Sequence, residues 1–289
     1  MELPRLILCP VDLSALSGQA LRLAETVTRG TGARITALYA EWMPMPLYFT
    51  PSQIEGLQRQ LRASLAEAER SVAEFVAQTL GAGAAGVEVK VVEAAPVEGI
   101  LAAASGLGSD WIVMGTHGRG GINRWMMGSV AERVLRASRI PVVTVRGGTA
   151  PPAPVAIHRI LCPVNDSAIA RLSLELAARL ASRLGAELTV MHVKEEEGRK
   201  AITDLCAWIP ESERSTCEIR ELTREGEAAR EILTVAGQMG CDLLVMGARH
   251  RRFFDSTVIG TTTVRVVRHA PCPVLTAIEP AERGSQEAS

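Results

Sequence analysis

The sequence predicts an α/β chain of two tandem, doubly wound domains, each built on a five-stranded parallel sheet of the Rossmann-like type. Three observations carry this. The chain repeats itself: Arg5-Leu-Ile-Leu-Cys-Pro-Val-Asp12-Leu-Ser14 returns as Arg159-Ile-Leu-Cys-Pro-Val-Asn165-Asp-Ser167, at an offset of 153 that holds from Leu8 to about Leu38 and matches Gly32 to Gly185. Within each copy, short apolar runs alternate strictly with helical patterns, which calls for parallel strands joined by right-handed crossovers. Aromatics make up only 3% of the 289 residues while Ala, Val, Leu and Ile abound, as suits strands covered on both faces.

In the first copy the patterns predict strands near 5–11, 34–40, 86–92, 110–115 and 141–146, with helices near 15–29, 52–80, 96–106 and 129–138. In the second copy, strands are expected near 159–164, 187–193, 217–222, 242–247 and 272–278. Toward the ends of the copies the offset falls to 132, matching Asp110-Trp-Ile-Val-Met-Gly115 with Asp242-Leu-Leu-Val-Met-Gly247 and Pro141 with Pro273. The first copy therefore carries 21 extra residues somewhere in 41–95. Ser52-x-x-Glu55 reads as a capping box opening the long helix. Ile54, Leu57, Leu61, Leu65, Ala68, Val72, Phe75, Val76 and Leu80 form its apolar side. The loop before it, Trp42-Met-Pro-Met-Pro-Leu-Tyr48-Phe49, has two readings: a packed entry to a core helix, or an exposed docking surface. These patterns divide the chain into domain 1 at 1–147, a Pro/Gly-rich linker at 148–158, domain 2 at 159–280 and a flexible tail at 281–289.

Composition excludes several classes. A net charge of −1 argues against nucleic acid or an anionic membrane as the main partner. No apolar run approaches the ~18–20 residues that span a bilayer. The start of the chain lacks the regions of a signal peptide, so a cytoplasmic location is expected. None of the six cysteines shows metal-ligand spacing, and Cys9 and Cys162 sit in matching apolar strands as structural thiols. Cys206, Cys217, Cys241 and Cys272 cluster in the copy that holds His192, His250 and His269, which leaves a metal or redox site as a second reading.

The stretch that carries chemistry is Asp110-Trp-Ile-Val-Met-Gly115-Thr-His-Gly118, followed after nine residues by Gly128-Ser129. A strand that empties through glycines into a helix start gathers unpaired N–H groups and a positive dipole end, which is how chains cradle phosphate. Glycine serves there by allowing close approach and positive φ. Taken singly, each residue has another reading. Ser129-x-x-Glu132 also fits a capping box, Asp12 also fits a cap on the following helix, and His117 is either a loop histidine or a base.

The spacing G-x2-G-x9-G-[S/T], with Asp12-x-Ser14 ending the first strand and Arg139-Ile-Pro141-Val-Val closing the copy, resembles the nucleotide-binding signature of universal stress proteins. Because the pattern occurs twice, the resemblance covers nearly the whole chain. It implies an adenine nucleotide alpha-hydrolase-like fold that sets strands one and four side by side, with ATP as ligand and Mg as its companion. On that resemblance Asp12 holds a divalent metal or a phosphate-bound water, with Ser14 behind it, and Ala40 meets adenine through its main chain. Gly115, Thr116 and Gly118 wrap ribose and phosphates, Gly128, Ser129 and Val130 donate backbone N–H groups, and Arg119 and Arg124 offer positive charge.

The second copy departs from this. Gly247 and Gly260-Thr261 remain, but Asn165 replaces the aspartate. His250 stands at the place of Gly118, where a required positive φ would cost a histidine ~1–2 kcal/mol. Its cluster of Arg249, Arg251 and Arg252 is either an anion site or a solvated charge run. Three functional classes follow: an ATP-binding stress-response regulator, a slow ATPase, or an interaction scaffold that uses no nucleotide. Pro141-Val-Val-Thr-Val145 and Pro273-Val-Leu-Thr-Ala277 read as apolar sheet edges. By the same resemblance the repeats are expected to pair as an intramolecular pseudo-dimer, and whole chains as homodimers.

Overall fold

The structure is a computed structural model that describes residues 1–42, 51–118, 127–147, 156–194, 204–248, 250–253 and 256–278, with backbone alone for 51–60, 250–253 and 256–259. The predicted linker core (148–155), most of the apolar loop (43–50), the tail (281–289), Arg119 and Arg124 lie outside these residues. The chain forms two compact units. One comprises Pro4–Val134 with Thr144–Ala156, and the other Met1–Leu3, Leu135–Val143 and the chain from Ile157 on.

In the first repeat the elements run β1 (Leu6–Pro10), α1 (Ala15–Thr31), β2 (Arg34–Glu41), α2 (Pro51–Leu80), a 3-10 turn (Gly81–Gly86), β3 (Val87–Glu93), α3 (Pro96–Gly106), β4 (Trp111–Gly115), α4 (Ser129–Ala137) and β5 (Val142–Val145). Spatial order is β3-β2-β1-β4-β5, and β1 pairs in parallel with both β2 and β4. Sequence order reverses direction between β1 and β4, so a crevice opens at their carboxyl ends. Ile7, Leu8 and Cys9 of β1 and Ile112 and Val113 of β4 are completely buried, as expected for inner strands covered on both faces.

The second repeat runs β6 (Arg159–Val164), α5 (Ala168–Leu184), β7 (Glu187–Lys194), a 3-10 turn (Leu205–Trp208), α6 (Glu211–Arg214), β8 (Ile219–Glu225), α7 (Ala228–Gln238), β9 (Leu243–Ala248), β10 (His250–Phe253), β11 (Ser256–Ile259), α8 (Thr261–His269) and β12 (Val274–Ile278). Its order is β8-β7-β6-β9-β12, and the neighbouring strands pair in parallel.

The matched residues have matched jobs. Gly32 and Gly185 end α1 and α5 in the left-handed region (φ 74° and 65°), their N–H groups returning to Thr28 and Ala181 carbonyls. Asp110 and Asp242 each clamp the start of the neighbouring strand. Asp110 Oδ2 accepts from the N–H groups of Arg5 (2.8 Å) and Leu6 (3.0 Å), and Asp242 Oδ2 accepts from those of His158 and Arg159 (both 2.9 Å).

The extra residues of the first repeat lie between β2 and β3, where 30-residue α2 stands in place of the short turn and α6 of the second repeat. Val72 and Val76 are buried in its apolar side, and a Cβ on Gly18 of α1 would lie 3.4 Å from Phe75 Cζ. The stretch 61–80 is therefore a core-packing helix; the loop on which the two readings differed lies outside the described residues apart from Trp42. Its opening differs from expectation: α2 begins at Pro51, so Ser52 lies inside the first turn and cannot be the N-cap. Proline at the first helical position costs nothing, because its missing N–H would have had no partner. Trp42, at the edge of the apolar loop, is 62% exposed.

Candidate nucleotide site

The site is built where β1 and β4 end. Beyond β1 the chain turns sharply through Leu13, which adopts φ 62°, an unusual conformation for a branched residue. The turn is held by side chains. Asp12 Oδ1 accepts from Ser14 N (3.1 Å) and Ser14 Oγ (2.6 Å), while Ser17 Oγ accepts from Asp12 N at 3.4 Å. Ser14, not Asp12, is the N-cap of α1, its hydroxyl accepting from Ser17 N at 3.2 Å. Asp12 is thereby fixed through Oδ1 and presents Oδ2 on its other side.

Two of the three signature glycines meet this segment at close range, and the third meets the loop after β4. A Cβ on Gly115 would lie 2.9 Å from Leu16 Cγ, one on Gly118 would lie 2.7 Å from Asp12 Oδ2, and one on Gly128 would lie 2.9 Å from the Thr116 carbonyl. None of the three has positive φ. The expectation that they supply left-handed backbone is therefore corrected: what they supply is room for one segment to approach another.

Gly128 also overturns one donor assignment. Its N–H donates to Thr116 O at 2.7 Å, so it is already used inside the loop. Its carbonyl accepts from Glu132 N at 3.0 Å, which makes Gly128 the backbone N-cap of α4. Ser129 is thus the first helical residue, and the capping-box reading of Ser129 does not hold. The N–H groups of Ser129, Val130 and Ala131 have no partner within the helix.

Asp12, Ala40, Gly115, Thr116, Gly118, Gly128, Ser129 and Val130 all line one pocket of about 500 Å³. That size lies within the ~300–1,000 Å³ of small-molecule sites. Ser14 stands outside the lining, and Arg119 lies outside the described residues. Leu38, Pro96, Ile100 and Met114 give the pocket an apolar side that the glycine motif did not reveal. Their signal was their place at strand ends and at the start of a helix. The lining thus combines a carboxylate and a helix start with apolar side chains, a set of groups able to take a flat ring and an anionic tail.

Thr116 is 2% exposed, its N–H donates to Val145 O at 2.8 Å, and its hydroxyl lies 2.9 Å from His117 Nδ1. Burial, together with the Arg146 charge, lowers the pKa of His117. The thiols give no sign of reactivity: burial pushes Cys9 up to about 12 and Cys241 up to about 11, and burial with the Glu221 carboxylate pushes Cys206 to about 12. Among the described residues no group of three or more His, Cys, Asp or Glu could hold a metal.

Matching positions in the second repeat line a pocket of only about 220 Å³. Asn165 Oδ1 accepts from Ser167 Oγ at 2.5 Å, and Ser167 caps α5, so the amide keeps the turn-holding role of Asp12 Oδ1. What it lacks is the carboxylate's negative charge and second acceptor oxygen, in place of which it carries an NH2 donor. Val193 replaces Ala40, and a Cβ on Gly260 would meet nothing within 4 Å, in contrast to Gly128. Between Gly247 and Gly260 the backbone forms the antiparallel β10–β11 hairpin, in register His250 to Ile259. His250 is therefore strand backbone, and the left-handed strain expected for it does not arise. The side chains of the basic cluster are not described.

The sequence pattern of the universal stress protein family matches residues 4–146 and again 156–277. The chain belongs to the universal stress protein family. A universal stress protein of Mycolicibacterium smegmatis is 24% identical over 296 residues, covering 93% of this chain and 95% of its own length. A Thermus aquaticus universal stress protein, of single-repeat length, is 33% identical over 141 residues, which is 48% of this chain and 97% of that one. Among solved structures, a universal stress protein from Archaeoglobus fulgidus superposes with a TM-score of 0.74 at 23% identity, covering 95% of this chain and 98% of that one. That likeness supports the tandem α/β fold. No helix among the described residues is long and apolar enough to cross a membrane.

Proposed function

We propose that this universal stress protein binds one adenine nucleotide, ATP, in the first repeat, and that occupancy regulates its interactions in a stress response. The observation that carries this reading is the convergence of the Asp12 carboxylate, three close-approach glycines and the N-terminus of α4 on one pocket with an apolar side. A cap or a tight loop alone would need no such pocket. In this reading the base lies against Leu38, Ala40 and Ile100, and the phosphates lie toward Ser129 and Val130, whose N–H groups and helix dipole favour negative charge.

Mg fits as a companion of the phosphates and not as a resident of a protein cage. Asp12 offers one hard oxygen, and Mg²⁺ commonly takes one or two carboxylates and completes its octahedron with phosphate oxygens and water. The test is mass spectrometry of small molecules released from the purified chain, followed by calorimetric titration with ATP and magnesium. An adenine nucleotide bound at one per chain supports the reading. The absence of both retained ligand and binding heat would remove it, leaving the scaffold role.

A further inference from the structure

Strand β3, Val87-Glu-Val-Lys-Val-Val-Glu93, has β2 as its one neighbour among the described strands, and none of its seven residues is buried. The phase of its ladder follows from two facts. Glu41 lies beside Glu93 in parallel register, and Ala94 N–H donates to the Glu41 carbonyl at 3.1 Å. Alternate residues of a paired strand bond to the same side, so Glu88, Lys90 and Val92 turn their backbone groups toward β2. Val89 and Val91 turn theirs outward, together with the Val87 carbonyl; the Val87 N–H already donates to Ala84 O. An edge of unpaired backbone groups carrying valines is a template for another strand. Beside it, a groove of about 420 Å³ between α2 and β3 is lined by half-buried Leu65, Val89 and Val91.

We propose that β3 is the contact surface for a second copy of this chain, paired antiparallel about a dyad at Val89. The outward groups then meet in phase. Each Val89 N–H donates to the Val89 carbonyl of the other copy, and each Val91 N–H to the other copy's Val87 carbonyl. Charge selects this register. Glu88 of each copy faces Lys90 of the other, at non-hydrogen-bonded positions where side chains come closest. Glu88 Oε2 accepts from Thr36 Oγ1 at 3.2 Å, which leaves Oε1 for that lysine. Centring on Glu88 or on Lys90 sets like charges opposite, and centring on Val91 sets Lys90 against Val92. On the groove side, Val87, Val89 and Val91 meet the valines of the second copy. The matching edge of the second repeat, β8, is blocked by the same reasoning. Gly226 N–H donates to Lys194 O, beside Glu225, so Glu221 and Glu225 turn outward and Arg220 and Arg224 toward β7. Pairing in phase never sets these arginines against these glutamates, and every register centred from Arg220 to Arg224 sets like charges opposite. The proposal is independent of any ligand.

The full chain tests this without a substitution. Between about 1 μM and 1 mM, sedimentation should show a monomer–dimer equilibrium. Amide exchange at Val89 and Val91 should slow as concentration rises, while Lys90 and Val92, bonded to β2, stay protected throughout. Val89→Pro removes an N–H that points away from β2, so it should give a folded monomer. Glu88→Lys and Lys90→Glu should each weaken self-association by roughly 5- to 30-fold, since the cross-strand pairs turn repulsive. An equal mixture of those two variants should recover it, because opposite charges again face each other. A chain that stays monomeric throughout that range, exchange at Val89 and Val91 that ignores concentration, or a dimer that Val89→Pro leaves intact would each overturn the proposal. A mixture of the two folded charge variants that associates no more tightly than either alone would overturn it too.

Discussion

Replacing Gly118 by alanine adds one methyl group where the nearest neighbour is a carboxylate oxygen. The new Cβ would lie 2.7 Å from Asp12 Oδ2, inside any distance real Cβ atoms tolerate. The carboxylate must retreat by roughly 0.3–0.7 Å or the loop must move outward, and overpacking of this kind costs ~1–3 kcal/mol. Retreat is opposed, because Asp12 Oδ1 is held by Ser14 N and Ser14 Oγ at 3.1 and 2.6 Å. Loss of a charge-assisted hydrogen bond at this oxygen would weaken ATP binding by ~1.5–3 kcal/mol, roughly 10- to 100-fold. The stability arm needs no ligand. Urea unfolding of Gly118→Ala, Asp12→Ala and the double variant should show Gly118→Ala destabilising by ~1–2 kcal/mol in the wild-type background and by ~0.5 kcal/mol or less once Asp12 is truncated. If the two costs agree within ~0.3 kcal/mol, the methyl group is not meeting the carboxylate and the reasoning fails. Gly118→His should abolish binding, since its ring enters the same crowded corner.

Further outcomes are expected. Gly128→Ala should lower thermal stability as well as affinity, because the added Cβ meets the Thr116 carbonyl at 2.9 Å, a backbone atom unable to swing aside, and breaks the 2.7 Å Gly128–Thr116 hydrogen bond; an unchanged melting temperature would contradict this. The double change Asn165→Asp with His250→Gly should leave calorimetric stoichiometry at one, since the pocket of the second repeat stays near 220 Å³; a value near two would show that charge, not room, was lacking. ATP turnover should stay below ~1 s⁻¹, because Asp12 is the one carboxylate among the described lining residues and no second group is placed to orient water; a faster phosphate release that vanishes in Asp12→Ala would establish an ATPase. Thiol pKa values raised to about 11–12 at Cys9, Cys206 and Cys241 mean that folding disfavours thiolate, so their stabilising contribution is complete below the unfolded value near 9 and is lost as pH climbs through the folded values; urea midpoints should fall above pH 9 and hold between pH 7 and 8.

Much of this molecule was legible in its residues. The strand and helix alternation and the place of the extra segment follow from period and punctuation, which are local properties. The convergence of Asp12 with Gly115, Gly118 and Gly128 was also within reach, because the resemblance to the universal stress proteins implied that strands one and four lie side by side. What stayed hidden depends on distances that no sequence spells out. Spacing suggests positive φ and close approach equally for a glycine, and only the neighbouring Asp12 Oδ2 and Thr116 O decide for approach. Ser129-x-x-Glu132 and Ser52-x-x-Glu55 have the letters of a capping box, yet the helices start one and two residues early, at Ser129 and at Pro51. The β10–β11 hairpin was missed because its run of arginines reads as a charged loop. Its strand character rests on antiparallel pairing with Ser256-Thr-Val-Ile.

The aspartate clamps and glycine caps have a consequence for any experiment on this chain. Residues that hold each sheet in register, Asp110 and Asp242, or that stop each first helix, Gly32 and Gly185, form a set separate from the oxygen and glycines that crowd the larger pocket. A polypeptide arranged in this way carries its own control sample. Heat, denaturant or a mutation acting on the scaffold should report from both repeats alike. A perturbation that acts through the ligand should register in one repeat and leave the other silent, as a reference cell does beside a sample cell.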